Sequence, residues 1–372
     1  KAHTADLGGD VRADGTLTIE TDDRLAVQNI TAGNATLKAG AELSAKSVNV
    51  GGNADITAGT NLTANDVSVG GDLNAKGQNI HAVHIKSTGK TRLTATTGNI
   101  TAKNLSADGT LDAAAKTNLT VDSVTGKGKT VLTAQTGDLT VNGTVRTDAD
   151  AVLTADKDVT LAGAFSAKNN ARLTAGQNAK LGGKTDVGET LTAHIGKDLV
   201  TNGAVTTGKE LIANVGNDLA MNDLVSAGGS ASLTVGRNVT LDGALTTGGN
   251  FTANVVHDLT ANDAVTTGAD FAAIVGNDAV TNGTVTTNGA LTWNVGKDLT
   301  ANAAVLSHGT TTIDAQNVKF NADFASDKNL TITAKNNIFT KEGTKLSTKS
   351  DGKLKAHTAD LGGDVRADGT LT

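Results

Sequence analysis

A unit of 20 residues recurs without insertion from Asp156 to Ala315, eight blocks in a row, six of them beginning at Gly196, Gly216, Gly236, Val256, Gly276 and Gly296. A repeat this short cannot bury a core alone, so it must be one turn of something that stacks. In the block Gly196 to Val215, apolar residues fall at positions 4, 10, 16, 18 and 20: Leu199, Val205, Leu211, Ala213 and Val215. Within each run the spacing is two, the strand period, and no run sustains the three-and-four spacing of a helix. Gly203 and Gly208 separate the runs, which predicts three short strands joined by tight bends.

The same positions hold the same kind of residue block after block. Position 10 reads Val205, Val225, Leu245, Val265, Val285 and Val305; position 4 reads Leu199, Leu219, Val239, Leu259, Ala279 and Leu299. Position 20 reads Val215, Val235, Val255, Val275, Val295 and Ala315. Like lies on like, which describes an all-β, right-handed parallel β-helix of about 20 residues per coil, the hand following from crossover chirality. Composition agrees. There is no Pro in 372 residues, and Pro cannot donate to a ladder paired on both sides. The 44 Gly suit many bends, and aromatics at 2% suit a narrow core of Val, Leu, Ile and Ala.

The repeat pattern runs through nearly all of residues 1–372, so a single continuous solenoid is expected. Coil length varies over residues 19–95, and residues 316–354 are the least regular. Residues 355–372 read KAHTADLGGDVRADGTLT, identical to residues 1–18. The chain is therefore one period of 354 residues plus an 18-residue overlap. Tandem units of that length are expected, with residues 355–372 beginning the next one and no cap over the open strands at either end; a duplicated end is the alternative. A start at Lys1 without an initiator Met suggests a mature or excised fragment.

Candidate sites were sought column by column. Position 7 is Asn202, Asn222, Asn262, Asn282 and Asn302, with Asp242 between. These read as an amide ladder at a bend, with Asn in the left-handed conformation. Position 3 holds Asp158, Asp198, Asp218, Asp258, Asp278 and Asp298, interrupted by Asn178 and Asn238. Carboxylates one coil apart, at about 4.8 Å, repel by about 1 kcal/mol in water, which a cation could relieve. Asn replaces Asp freely, however, and Lys197, Arg237 and Lys297 sit alongside, so Asx-turn capping of each bend is the expected role. The seven His are scattered. His81 and His84, three apart on a strand, are expected to face opposite ways and make a poor metal pair. Trp293 takes an inward slot at position 18. Adjacent Thr such as Thr206 and Thr207 should face opposite sides, which argues against an ice-binding array. No catalytic, cofactor or metal residues are singled out, and an enzyme is not expected.

Net charge is −6, thinly spread, which argues against a nucleic-acid partner. The local exception is Lys328, Lys335, Lys341, Lys345, Lys349, Lys353 and Lys355, read as a solvated face and, alternatively, as a contact for anionic glycan. No apolar run approaches the length of a membrane-spanning segment. Cys is absent, which by itself fixes no compartment.

The phrases GKDLTANAAV, GNDLAMNDLV and GRNVTLDGAL, with the linking LTA, resemble the haemagglutinin repeats of filamentous haemagglutinin-like exoproteins, the secreted partners of bacterial two-partner secretion systems. The resemblance covers essentially the whole chain. It implies a secreted or cell-surface rod used in adhesion, biofilm or contact-dependent competition. The family's amino-terminal secretion domain and its NPNG-type motif are missing from this sequence, so secretion and effector activity fall outside it. Lack of Cys fits threading through a narrow export pore. The leading expectation is thus the structural shaft of an extracellular filament or adhesin, about 18 coils and near 90 Å per unit at about 4.8 Å per coil. Its partners would be neighbouring units end to end, and host or bacterial surface glycans or receptors. A glycan- or receptor-binding module is the second reading and a polysaccharide-cleaving enzyme the third.

Overall fold

The computed structural model describes residues 2–372 and contains 45 strands and no helix among them. It falls into two compact units, one ending at Val187 and one running Gly188–Thr372. Each is a parallel β-solenoid in which residues one coil apart pair side by side.

In the second unit the 20-residue register holds as the repeat requires. Val205 pairs with Val225, Val225 with Leu245, Leu245 with Val265, Val265 with Val285 and Val285 with Val305. All six are at most 3% exposed. Leu199 through Leu299 form a second column and Val215 through Val295 a third. One coil consists of three strands, for example Leu199–Thr201, Val205–Thr207 and Leu211–Val215.

The core is wider than the apolar pattern indicates. Seven side chains per coil point inward, not five, because positions 6 and 12 join them: Thr201 and Thr207 are 1% and 2% exposed. The two Thr positions differ chemically. At position 12 the hydroxyl donates to a bend carbonyl, as from Thr247 to Gly249 (2.9 Å) and from Thr267 to Ala269 (3.0 Å). At position 6 the hydroxyls of Thr201 and Thr281 have no partner. Met221, Leu241 and Ala261 occupy the same column, so the slot accepts apolar groups.

In the first unit the coils from Leu43 to Gly126 are built differently. A strand of eight or nine residues, such as Asn61–Val69 or Leu119–Gly126, rounds a corner without breaking, and a five-residue strand completes the coil. The change to three strands is one inserted residue. Val121 pairs with Val141, 20 residues on, but Val124 pairs with Val145, 21 residues on. The corner Asp122–Ser123 has become Asn142–Gly143–Thr144, and the single strand has become Leu139–Val141 and Val145–Thr147.

The bends do not use the left-handed conformation expected for the Asn column. Among the described residues no non-Gly residue has positive φ, and Gly343 alone among glycines does, at 79°. Glycine is favoured for a different reason. A Cβ on Gly228, Gly248 or Gly268 would run into the carbonyl oxygen of the glycine one coil earlier. The constraint is the close approach of stacked backbones rather than dihedral freedom.

The two identical segments are both paired in parallel but are built differently: residues 1–18 enter the unbroken strand Ala5–Thr21, whereas residues 355–372 form the strands Thr358–Leu361 and Asp364–Ala367 and an isolated bridge at Leu371. In the first, Leu7 pairs with Val27, Val11 with Ile30 and Leu17 with Ala35, each on its following coil. In the second, Leu361 pairs with Thr340, Val365 with Leu346 and Leu371 with Gly352, each on its preceding coil.

Two outcomes test this core. Thr281→Val removes an unpartnered buried hydroxyl and should raise the unfolding free energy by about 1 kcal/mol, while Thr247→Val should lower it by a similar amount. Denaturant titration reads both. Val265→Asp places an unpaired carboxylate in the column and should cost several kcal/mol, whereas Lys297→Ala, at an exposed position, should be silent. Equal melting temperatures for that second pair would contradict the stacked core.

Candidate functional site

Outward side chains form columns as regular as the inward ones, and these columns contain the candidate residues. The position-3 carboxylates do not cap their own bends. From residue 198 to 278 the position-3 oxygens accept a hydrogen bond from the main-chain N–H of the residue one coil later, and Asp298 accepts from the side-chain amide of Asn317. Asp218 N–H donates to Asp198 Oδ1 (3.2 Å), Asn238 to Asp218 (3.1 Å), Asp258 to Asn238 (3.3 Å), Asp278 to Asp258 (3.2 Å) and Asp298 to Asp278 (3.1 Å). The expected Asx-turn role is thereby replaced by a coil-to-coil ladder. In the first unit the same ladder passes through Asn79, Asn99, Asn118, Asp138 and Asp158 to Asn178. Every step has the acceptor on the earlier coil and the donor on the later one.

This geometry lowers the repulsion between stacked carboxylates. Asp218 Oδ1 also accepts from Asn238 Nδ2 (3.0 Å), and its Oδ2 lies 3.6 Å from Arg237. A charge-assisted bond from each N–H offsets repulsion between exposed neighbours. Among the described residues no three His, Cys, Asp or Glu side chains converge as metal ligands.

The position-7 amide ladder forms as the sequence predicts. Asn222 Nδ2 donates to Asn202 Oδ1 (3.0 Å), Asn282 to Asn262 (2.7 Å) and Asn302 to Asn282 (2.7 Å). Asp242 belongs to it by accepting from Asn262 (2.6 Å). A third ladder, missed in the sequence, runs at position 15: Asn250 N–H donates to Ser230 Oγ (3.1 Å) and Asp270 N–H to Asn250 Oδ1 (3.1 Å). Its signal was the run Ser230, Asn250 and Asp270 just before the core residues Ala231, Phe251 and Phe271.

The remaining candidates separate. His81 and His84 both face outward, contrary to expectation, because the strand Asn79–Ser87 turns its corner at Val83 and resets the alternation. His84 Nδ1 is 2.8 Å from Asn104 Nδ2, one coil on. Trp293 fills the core at 1% exposure, its ring edge-on to Phe271 with centroids 5.5 Å apart. Thr206 and Thr207 face opposite sides as expected. The Lys-rich stretch is exposed, but coiling distributes it. Lys345 lies on the strand Lys345–Thr348, Lys353 and Lys355 on the strand Gly352–Lys355, and Lys328 and Lys349 at bends.

The most perturbed acid is Asp327, which sequence reasoning did not single out. His308 Nδ1 and Lys349 Nζ each lie 2.7 Å from its carboxylate oxygens, from the coils on either side. Hydrogen bonds from His308 and then Lys349 hold its carboxyl below the usual carboxylate range. A depressed folded-state pKa gives stability that is present above the unfolded value, near about 3.9, and is lost as pH falls through the folded value. Asp327→Asn should therefore be less stable than the wild type at neutral pH. The difference should vanish in acid below the ordinary carboxylate range, as read by thermal melts across a pH series.

No protein-family model, curated protein or solved structure matches the chain, so no relative's activity bears on it. Among the described residues no helix is long and apolar enough to cross a membrane.

Proposed function

We propose that the chain is a length of structural shaft from an extracellular bacterial filament or adhesin, of the filamentous haemagglutinin-like kind that its repeats resemble. One observation carries the reading: the sequence columns with polar or charged chemistry are largely tied up in coil-to-coil ladders that hold neighbouring turns together. Side chains occupied in this way reinforce a solenoid. The function is length, stiffness and resistance to proteolysis.

The identity of residues 355–372 with residues 1–18 supports units of 354 residues in tandem, with the second copy opening the next unit. Its Leu361, Val365 and Leu371 are paired on the preceding side and the first copy's Leu7, Val11 and Leu17 on the following side. One coil that joined both sets of partners would carry the ladder from unit to unit. Secretion to the cell surface follows from the same reading, and adhesion to surface glycans or receptors would be its use.

Electron microscopy of a chain carrying two such units, joined through the shared 18 residues, tests the proposal. The expected particle has uniform width and twice the length of the single unit. Two lobes joined by a flexible neck, or a particle of unchanged length, would remove the shaft reading.

A further inference from the structure

The regular columns leave one surface with a different character. In the first unit a groove of about 640 Å³ crosses five coils between Asn34 and Asp112. It lies where coil length is irregular: the spacings from Asn34 to Asn53, Asp72, Lys90 and Thr110 are 19, 19, 18 and 20 residues.

One wall is a corner ladder. Asn53 N–H donates to Asn34 Oδ1 (2.8 Å), Asp72 N–H to Asn53 Oδ1 (2.9 Å) and Lys90 N–H to Asp72 Oδ1 (2.7 Å). The ladder uses each Oδ1, and Asn34, Asn53, Asp72 and Lys90 all line the groove. The opposite wall is outward strand positions. Asn74 Nδ2 meets Asp55 Oδ1 at 3.3 Å, and Arg92 meets Asp112 Oδ2 at 3.4 Å with side chains 67% and 38% exposed. Those contacts are long and solvated, so a ligand can replace them at little cost. Between the two walls run Ala35, Ala54 and Leu73, whose side chains are buried in the core.

We infer that this groove binds a neutral, extended oligosaccharide lying along the solenoid axis. Charge excludes the simpler ligands. Three carboxylates, Asp55, Asp72 and Asp112, stand against two cations, Lys90 and Arg92, so a polyanion and a polycation each meet like charge. A peptide adding as a strand finds no free edge, because Ala35, Ala54 and Leu73 are already paired coil to coil. A sugar chain needs neither net charge nor free backbone. Each hydroxyl is donor and acceptor at once, and the walls present donors and acceptors that recur every coil, about 4.8 Å. An extended β-linked chain advances by a similar step per sugar, so successive sugars meet successive coils.

The test immobilises the chain on a biosensor and passes neutral β-linked oligosaccharides of increasing length, with sulfated and uronic-acid chains in parallel. Neutral chains should bind, more tightly with length until the five coils of the groove are spanned, and with little salt dependence. Asn74→Ala combined with Arg92→Ala should weaken binding about tenfold or more, and Lys297→Ala should leave it unchanged. Thr36→Trp fills the groove without removing a hydrogen bond, and should abolish binding at an unaltered melting temperature. No binding of any neutral chain would overturn the inference. So would capture of sulfated chains only, lost at high salt, or neutral binding that survives both groove variants. None of these outcomes touches the shaft reading, whose test is particle length.

Discussion

The parallel main-chain ladder between successive coils is the interaction on which the rest depends. Because each residue pairs with its counterpart one coil on, as Val205 does with Val225, the side chains above and below it are of its own kind. Sequence periodicity therefore becomes spatial identity. A column of Val or Leu makes a dry stripe and a column of Asn a run of amide bonds. A column of Asp would make a line of repulsion if the backbone did not supply donors. The same ladder excludes Pro, and the close approach of its turns favours Gly at bends such as Gly228 and Gly248.

The side-chain ladders add a direction that the main chain lacks. A parallel backbone ladder donates both ways along the axis. At position 3 the carboxylate or amide oxygen always belongs to the earlier coil and the N–H to the later one. A completed coil thus presents a fixed row of acceptors to the chain that follows it. Asp accepts more strongly than Asn but adds charge, and the interruption of the Asp column by Asn178 and Asn238 limits consecutive like charges. Asn238 also brings Nδ2, which donates to Asp218 Oδ1 and makes a second bond that no carboxylate could offer.

What the sequence discloses depends on whether the relevant partner lies in a column or around a corner. Val205 to Val305 could be read directly, since apolar identity every 20 residues has one physical meaning. Thr201 and Thr207 could not. Thr looks polar in any alternating pattern, and only the closed coil reveals that one hydroxyl is left unpartnered and another reaches a bend carbonyl. The ladders beyond position 7 were hidden for a similar reason. Asp218 looks like a local turn former, and its donor is 20 residues away. His81 and His84 were misplaced because period two assumes a straight strand, whereas this one turns at Val83. The difference between the two kinds of coil rests on the single residue that separates Asp122–Ser123 from Asn142–Gly143–Thr144. Nothing in hydrophobicity marks it.

Regularity also sets where recognition can reside. A strict column offers the same group at the same step along its whole length, so it cannot distinguish one position on a ligand from another. Specific binding needs unlike groups side by side, and that requires the register of residue types to break. Between Asn34 and Asp112 it does: outward positions read Thr36, Asp55, Asn74, Arg92 and Asp112 on consecutive coils. There the coil length varies as well. In the second unit, by contrast, Thr246, Thr266 and Thr286 repeat one hydroxyl along a face. The ladder that makes the solenoid stiff thus confines any discriminating surface to the places where the repeat is imperfect.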